Sequence, residues 1–289
     1  MKILVTGGNG QLGRALRRLA PKYPGDVFLF TDVDTLDITD PAAVEKGVAD
    51  FRPDILVNCA AYTNVDKAEE DEAVARRLNA EAPEILAAAM QRHGGAMVQV
   101  STDYVFGGDK INVPLREEDA TNPLGVYGRT KLEGEQRCRR VLDRLAIIRT
   151  AWLYSEDGRN FVRTMLDLTS RLPRVNVVFD QAGSPTYAAD LAAAILTVVH
   201  HPELEKNWGT YHFSNEGICS WYDLARLVAR KAGAGAEVLP CHSSEFPAKV
   251  TRPAYSALDK TKIKETFGIA VPYWTDSLDL CLKNLMHNG

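Results

Sequence analysis

The sequence predicts a doubly wound α/β fold, in which helices cover both faces of a parallel sheet. The first observation is a short apolar run, residues 2–6, that passes directly into glycines at positions 7, 10 and 13. Such a run is typical of a buried strand that enters a helix through a tight turn. The second is that unalternating apolar segments recur along the first half of the chain, separated by helical patterns. Strands that are apolar on both faces belong to parallel sheets buried between helices.

Length and composition set the outer limits. The chain has 289 residues, 45% of them hydrophobic, which suits one large or two unequal domains. Its 34 basic and 38 acidic side chains give a net charge of −4, without the basic patch that nucleic acid requires. Five scattered cysteines without a Cys-x-x-Cys pair predict neither a disulfide framework nor a metal site. With neither a leader nor an apolar run near the ~18 residues of a membrane span, we expect a cytoplasmic protein that binds no membrane.

Five strands are predicted in the first half of the chain. They are residues 2–6, 27–31, 55–61, 97–101 and 146–150. The first helix follows the glycines and ends near Pro21, and Asp40 and Pro41 open the second as N-cap and first-turn residue. The remaining helices are residues 71–93, with a break near Pro83, and residues 124–142.

Beyond Trp152 the pattern loosens into shorter elements. They are a helix from about residue 160, strand 175–178, a helix from about 188, strand 211–214, helix 222–231, an irregular segment with several prolines, and helix 276–286. Because these elements cannot form a long sheet, we expect a Rossmann-type domain over 1–151 and a smaller substrate domain over 152–289, partly interleaved with it. A cleft then lies at the carboxyl edge of the sheet.

The glycine-rich turn has the spacing of a dinucleotide-binding loop. Gly7 suits the positive φ that ends a strand, Gly10 admits a pyrophosphate close to the backbone, and Gly13 allows close helix packing. Gln11 and Leu12 open the helix, whose positive dipole end then faces the phosphates. An ordinary tight strand-to-helix turn is the alternative, so the loop needs support from elsewhere in the chain.

Three further residues fit a bound adenosine. Asp32 ends the second strand about 20 residues past the loop, where the fingerprint places the acid that binds the ribose hydroxyls. An aspartate there repels a 2′-phosphate, and no adjacent Arg or Lys compensates, which favours NADH over NADPH. Asp37 suits the adenine amino group and Ile38 its ring face. Solvated loop acids are the alternative for both aspartates.

Tyr127 and Lys131 are the pair with the clearest chemistry. Four residues apart on a predicted helix, they share one face beside the cleft. The ammonium is expected to lower the tyrosine pKa from about 10 toward the working range, and Lys131 can also hold the nicotinamide ribose. Thr102 ends the fourth strand, where its hydroxyl could donate to a substrate carbonyl oxygen.

With these residues the chain resembles the extended short-chain dehydrogenase/reductases, and within them the dTDP-4-dehydrorhamnose reductases, over essentially its full length. The segments that carry the resemblance are TGGNGQLG (6–13), NCAAYTNVDKAE (58–69), STDYVF (101–106), VYGRTKL (126–132), RTAWLY (149–154), DQAGSPT (180–186) and RPAYS (252–256). VDKAE and TDYVF are specific to the narrower family, whereas the glycine loop and Tyr-x-x-x-Lys mark the superfamily.

The resemblance implies roles for individual residues. Tyr127 would be the proton donor, Lys131 its partner and a cofactor ligand, and Thr102 the third catalytic member. The sugar pocket would be lined by Thr102, Asp103 and Trp152, and the cofactor by Ala61, Tyr62 and Thr63. The implied reaction is NAD(P)H-dependent reduction of the 4-keto group of a dTDP-linked sugar.

Two positions depart from the family pattern. Tyr62 stands where many members carry a histidine. The first helix reads Arg14-Ala15-Leu16-Arg17 where some members carry a glutamate for magnesium at a dimer interface. That metal and that dimer are therefore in doubt for this chain, and the oligomeric state stays open.

Two other functions are compatible with the sequence. Another nucleotide-sugar reductase or an epimerase would use the same scaffold, and an epimerase would hold NAD in a 1:1 complex without exchange. A regulatory homologue, like the β subunit of methionine adenosyltransferase, would need no catalysis, and the intact set of Thr102, Tyr127 and Lys131 argues against it.

Overall fold

The main sheet has six parallel strands. The computed structural model describes residues 1–107, 112–246 and 250–287, and the sheet lies within them. In chain order its strands are β1 (Lys2–Thr6), β2 (Val27–Phe30), β3 (Ile55–Asn58), β4 (Ala96–Thr102), β5 (Leu145–Thr150) and, from the second half, β10 (Gly209–His212). Their order across the sheet is β10-β5-β4-β3-β1-β2. The predicted doubly wound α/β class is confirmed.

Helices cover both faces of this sheet. In chain order they are α1 (Gln11–Leu19), α2 (Pro41–Phe51), α3 (Val65–Ala68), α4 (Glu72–Arg76), α5 (Ala82–Arg92), α6 (Val126–Val141), α7 (Phe161–Arg171), α8 (Ala188–Val199), α9 (Trp221–Lys231), α10 (Thr261–Phe267) and α11 (Trp274–His287). Side chains of α1, α8 and α10 bury one face of the sheet. Those of α2, α5 and α6 bury the other.

The second half has its own core, between α7, α9 and α11. Three two-stranded sheets flank it. They pair β7 (Arg174–Val178) with β12 (Glu237–Cys241), β6 (Leu153–Tyr154) with β9 (Thr186–Tyr187), and β8 (Ala182–Gly183) with β11 (Cys219–Ser220). Since α8 and β10 pack in the first half, the two halves share elements. No helix in the described ranges is both long enough and apolar enough to cross a membrane.

The structure differs from the predicted elements near Pro83 and in the segment predicted to be irregular, and it contains the short elements α3, β6, β8, β9 and β11, which were not predicted. The break expected near Pro83 is a π-helical turn, Arg77–Glu81, just before α5; Pro83 itself is tolerated in the first turn of α5, where its missing N–H costs little. The segment predicted to be irregular contains β12 and α10. Both are short, and β12 carries Pro240 and pairs only with β7, so neither has a strong local signal.

Candidate active site

The carboxyl ends of the sheet strands open into a cavity of about 870 Å³. Parallel register brings Thr6 beside Asn58, and Thr102 beside Thr150, at this edge. Every predicted site residue except one lines the cavity. They are Gly7, Gly10, Gln11, Leu12, Gly13, Asp32, Asp37, Ile38, Ala61, Thr63, Thr102, Asp103, Tyr127, Lys131 and Trp152.

Tyr62 is the exception. Its hydroxyl donates to Asp71 Oδ2 at 3.0 Å, and its ring packs against the small cluster around Ala68. Its backbone N–H and carbonyl are held instead by the side chain of Asn79, at 2.8 and 3.1 Å. The Tyr62 side chain therefore does not line the cavity, whereas Ala61 and Thr63 do, and the expectation that residues 61–63 run along the cofactor stays a prediction.

The glycine-rich turn is shaped for a ligand that approaches the backbone. Gly7 has φ +67°, and a Cβ there would lie 2.7 Å from the backbone nitrogen of Ala60. A Cβ on Gly13 would lie 2.3 Å from the Gly7 carbonyl oxygen, so α1 can pack against the turn only without one. No described side chain caps α1 at Gly10, which leaves its first-turn N–H groups open toward the cavity. These residues fit a pyrophosphate.

Asp32 lies at the next strand end, as predicted. Its carboxylate accepts hydrogen bonds from the backbone N–H groups of Asn9 and Val33, both at 2.9 Å. A cation that the sequence analysis did not consider lies close by. The guanidinium of Arg17, in the second turn of α1, stacks over the Phe30 ring at the end of β2, 4.4 Å from its centroid.

The predicted adenine contacts lie together on the same side of the cavity. Asp37 accepts hydrogen bonds from the N–H and hydroxyl of Thr39, at 2.9 and 2.7 Å, and these bonds lower its pKa. Ile38 is buried and packs with the helices on that face of the sheet. A free carboxylate face beside an apolar side chain is compatible with an adenine ring.

Thr102, Tyr127 and Lys131 come together where β4 meets α6. The Thr102 hydroxyl donates to Asp103 Oδ1 at 3.0 Å and accepts the Tyr104 N–H at 3.2 Å. The Tyr127 ring meets the Tyr104 ring edge-on, with centroids 5.5 Å apart. The Lys131 ammonium is buried and donates to the Val100 carbonyl at 2.7 Å.

The ionisation of this pair differs from the sequence-based expectation. Burial raises the pKa of Tyr127 to about 12; a hydrogen bond with Thr102 works against this rise and the Asp103 charge adds to it. Burial lowers the pKa of Lys131 to about 8, against the attraction of Glu135. The prediction that Lys131 lowers the tyrosine pKa is thus wrong for this structure. Loss of solvation is the largest cause of the shift at Tyr127, and the Lys131 ammonium, which donates to the Val100 carbonyl, does not contribute to it.

Contacts from other elements hold helix α6 in place at the turns that carry Tyr127 and Lys131. Glu69 Oε1 accepts the N–H of Val126, the first helical residue, at 2.6 Å. Asn79, from the π-helical turn, donates to the Thr130 hydroxyl at 3.2 Å. A Cβ on Gly134 would lie 2.0 Å from the Asn79 carbonyl oxygen, so the two helices touch through their backbones. These contacts fix the positions of Tyr127 and Lys131.

A buried ion pair lies behind Lys131. Arg149 of β5 donates from Nε and Nη2 to the two carboxylate oxygens of Glu135, at 2.9 and 2.8 Å. Both side chains are almost fully buried, so the paired geometry must compensate for their lost hydration. Glu135 lies one turn beyond Lys131, and its negative charge helps to keep that ammonium protonated.

The other end of the cavity is aromatic. The Trp152 indole stacks on Trp221, with centroids 3.5 Å apart and planes 9° from parallel. The backbone of Trp152 is left-handed, with φ +50°, a strained conformation for a residue with a large side chain. A Cβ on Gly183 would lie 2.9 Å from this indole, so a glycine there makes room for it. The arrangement presents a flat apolar wall to the cavity.

Asp103 places a buried carboxyl beside the hydroxyls of Thr102 and Tyr127. Burial raises its pKa to about 6, and hydrogen bonds from Ser256 and Thr102 oppose the rise. Its Oδ2 is buried without a hydrogen-bond partner among the described residues. An acceptor in this position suits a sugar hydroxyl.

Sequence reasoning did not single out Trp221, Tyr104, Arg252 or Glu69, although all four line or support the cavity. Three of them lie inside segments quoted for the family resemblance, at 58–69, 101–106 and 252–256, and that membership was the available signal. Trp221 had no local signal, since it is the first residue of an ordinary amphipathic helix.

A family model matches nearly the whole chain. The model described as the RmlD substrate binding domain matches residues 1–287. A Streptomyces antibioticus protein named probable dTDP-4,6-dihydroxy-2-methyloxan-3-one 4-ketoreductase is 44% identical over 96% of this chain and 93% of its own length.

Solved structures are similar over the same extent. A dTDP-4-dehydrorhamnose reductase of Clostridium acetobutylicum superimposes with a TM-score of 0.93 at 43% identity, covering 99% of this chain and 100% of that one. The Bacillus anthracis reductase, solved in complex with NADP, has a TM-score of 0.92 at 37% identity, with 98% and 99% covered.

Proposed function

The chain belongs to the RmlD substrate binding domain family, that of the dTDP-4-dehydrorhamnose reductases, and on this premise we propose that it reduces the 4-keto group of dTDP-4-dehydro-L-rhamnose to give dTDP-L-rhamnose. One observation carries the proposal. Thr102, Tyr127 and Lys131 meet at the same edge of the sheet as the open turn at Gly10, so a reducing cofactor and a carbonyl group can be held in one cavity.

The cofactor half of the cavity uses mainly backbone groups. The N-terminus of α1 would hold the pyrophosphate of a nicotinamide dinucleotide, and Asp32 the adenosine ribose. Asp37 and Ile38 would bind the adenine, and Ala61 and Thr63 would line the cofactor further along. Lys131 would hold the nicotinamide ribose. When bound in reduced form, the cofactor supplies the hydride.

Tyr127 is suited to donate the proton. With a pKa of about 12 the phenol keeps its proton at neutral pH, so it can protonate the carbonyl oxygen as negative charge develops there. The Thr102 hydroxyl, which donates to Asp103 in the structure, can turn toward the same oxygen and stabilise that charge. Asp103 would accept a sugar hydroxyl and Trp152 would form the wall against the deoxysugar.

NADH is proposed as the preferred cofactor. The Asp32 carboxylate lies where a 2′-phosphate would approach, and like charges repel. Arg17, over Phe30, supplies the nearby positive charge that allows NADPH to be used as well. We therefore expect the protein to prefer NADH but also to use NADPH.

The direct test is turnover. Purified protein is mixed with dTDP-4-dehydro-L-rhamnose and NADH or NADPH, loss of the reduced cofactor is followed by absorbance, and the product is identified by NMR. Multiple turnovers to dTDP-L-rhamnose support the proposal. Tightly held NAD that does not exchange would identify an epimerase, and no turnover with a stable partner complex would identify a regulatory homologue.

A second substrate is favoured by the Streptomyces antibioticus relative, whose name describes a 4-ketoreductase of a different dTDP-linked sugar. The reacting group and the nucleotide are the same in both cases. A comparison of kcat/KM for the two 4-keto sugars decides between them, and a preference for the second would move the proposal to that substrate.

A further inference from the structure

We propose that Arg252 binds the diphosphate of the nucleotide sugar, and that the substrate displaces Asp66 from it. The inference deepens the proposed function and rests on it, because it names the residue that recognises the nucleotide part of that substrate. Arg252 reaches the cavity from the second half of the chain, whereas Asp66 lies in α3 of the first half. The two are 186 positions apart in sequence.

The contact between Arg252 and Asp66 is incomplete. Arg252 Nη2 donates to Asp66 Oδ2 at 3.1 Å, a single end-on hydrogen bond. Arg252 Nε and Asp66 Oδ1 are both buried, and neither has a hydrogen-bond partner among the described residues. An arginine fork makes its strongest contacts in pairs, to carboxylate or phosphate, and a buried donor without an acceptor is costly. The guanidinium is therefore positioned but not satisfied.

The pair is also easy to open. The side chains of Arg252 and Asp66 are 31% and 39% exposed, and ion pairs with that much solvent contact contribute little stability. Arg252 lines the cavity, whereas Asp66 is not among the residues that line it. An anion that enters the cavity thus meets the arginine directly and leaves the aspartate to solvent.

The distribution of charge assigns this arginine to the substrate. Within the described residues the cavity is lined by three cations, Lys131, Arg159 and Arg252. Lys131 is engaged at the catalytic end. Arg159 follows Gly158, which packs near Gln11 at the glycine-rich turn and so belongs to the cofactor end.

Arg252 is left for the remaining part of the cavity. The charges of both Arg252 and Asp66 act on the Tyr104 hydroxyl, and the Tyr104 ring is in edge contact with that of Tyr127. A diphosphate at Arg252 would thus lie one aromatic ring away from the proton donor. In this proposal the sugar ring would lie between the diphosphate and the reacting carbonyl.

Binding measurements with dTDP and thymidine test the proposal without turnover. Both are titrated calorimetrically into the full-length protein saturated with oxidised cofactor. In Arg252→Gln we expect dTDP affinity to fall about 10- to 100-fold, the value of charge-assisted hydrogen bonds, with thymidine affinity unchanged. Asp66→Asn should bind dTDP as tightly as wild type or a few-fold tighter, because the competing carboxylate charge is gone.

Two further variants complete the design. Arg230→Gln removes an exposed arginine of α9 outside the cavity and should bind dTDP like wild type, which controls for overall charge. Arg252→Lys keeps the positive charge but not the fork of N–H donors, and it should bind dTDP more weakly than wild type. This variant tests the proposal even if Arg252→Gln does not fold.

The outcomes separate this proposal from the proposed function. Wild-type dTDP affinity in both Arg252 variants would overturn it, even if the enzyme reduces the 4-keto sugar. A loss in Asp66→Asn as large as in Arg252→Gln would overturn the exchange, since Asp66 would then be needed for binding. The expected dTDP results in a protein that turns over no 4-keto sugar would support the diphosphate site and refute the proposed reaction.

Discussion

The two halves of the cavity are built in different ways. The part proposed to bind the cofactor, which we call the cofactor half, is formed by backbone groups and small residues at the ends of β1, β2 and β3, all within the first 63 residues. The part proposed to bind the sugar nucleotide, which we call the sugar half, is formed by the side chains of Asp103, Trp152, Trp221 and Arg252, which come from four separate segments. A site made of backbone depends on local turn geometry, whereas a site made of side chains depends on how distant segments pack. Single substitutions should therefore be able to change cofactor binding and sugar binding independently.

The largest effect is expected at Tyr127, which lies where the two halves meet. Tyr127→Phe removes the proton donor and should lower turnover by about 10²- to 10⁴-fold, the usual contribution of a general acid. Cofactor binding, measured by fluorescence titration, should be little changed because the ring remains. A variant that keeps more than half of its activity would exclude Tyr127 from the mechanism.

Lys131→Met should affect both halves. The ammonium is expected to bind the nicotinamide ribose and thereby to position the cofactor beside Tyr127, so turnover should fall about 10²-fold and cofactor affinity about tenfold. Steady-state kinetics and cofactor titration give the two values separately. A fall in turnover alone would show that Lys131 does not contact the cofactor.

The pH dependence tests the same residue in the wild-type protein. Burial lowers the pKa of Lys131 to about 8, so the side chain is charged below that pH and neutral above it. We expect kcat/KM to fall as pH rises through about 8, with the cofactor KM rising. Activity that stays constant well above pH 8 would show that the ammonium charge is not needed.

Trp152→Ala tests the sugar half alone. As a wall of the cavity, the indole should contribute mainly to substrate binding, so KM for the nucleotide sugar should rise about 10- to 100-fold while NADH binding stays intact. The matched variant Trp221→Ala removes the ring packed behind it, between Trp152 and Phe161, and should lower Tm more. If Trp152→Ala instead lowers the free energy of unfolding by the ~3–5 kcal/mol expected when a buried aromatic side chain is deleted, and leaves KM unchanged, Trp152 belongs to the hydrophobic core.

The smallest effect is expected at Asp32, in the cofactor half. The wild-type protein should have a lower KM for NADH than for NADPH. Asp32→Ala should narrow that difference by about fivefold, since repulsion between partly solvated charges is worth about 1 kcal/mol. The ratio of the two KM values is the measurement. A wild-type preference for NADPH would show that Arg17 outweighs Asp32.

The sequence predicted the parts of the molecule whose signals are local. Unalternating apolar runs identified β1 to β5, the Asp40-Pro41 cap identified the start of α2, and glycine spacing identified the turn that receives α1. The membership of β10 in the main sheet had no such signal, because it depends on pairing with β5, more than 50 residues earlier. Short elements such as β12 and α10 were missed because they too lack a strong local signal.

What the sequence by itself determined about this protein is its fold class, the glycine-rich turn after β1 and the spacing that puts Tyr127 and Lys131 on one face of a helix. Each of these follows from backbone preferences or from spacing within one element. The tertiary structure alone decided the ionisation of Tyr127, the orientation of Tyr62 away from the cavity and the pairing of Arg252 with Asp66. Burial, and which groups face each other, are properties of the packed chain. They depend on contacts between residues far apart in sequence, and no local pattern records them.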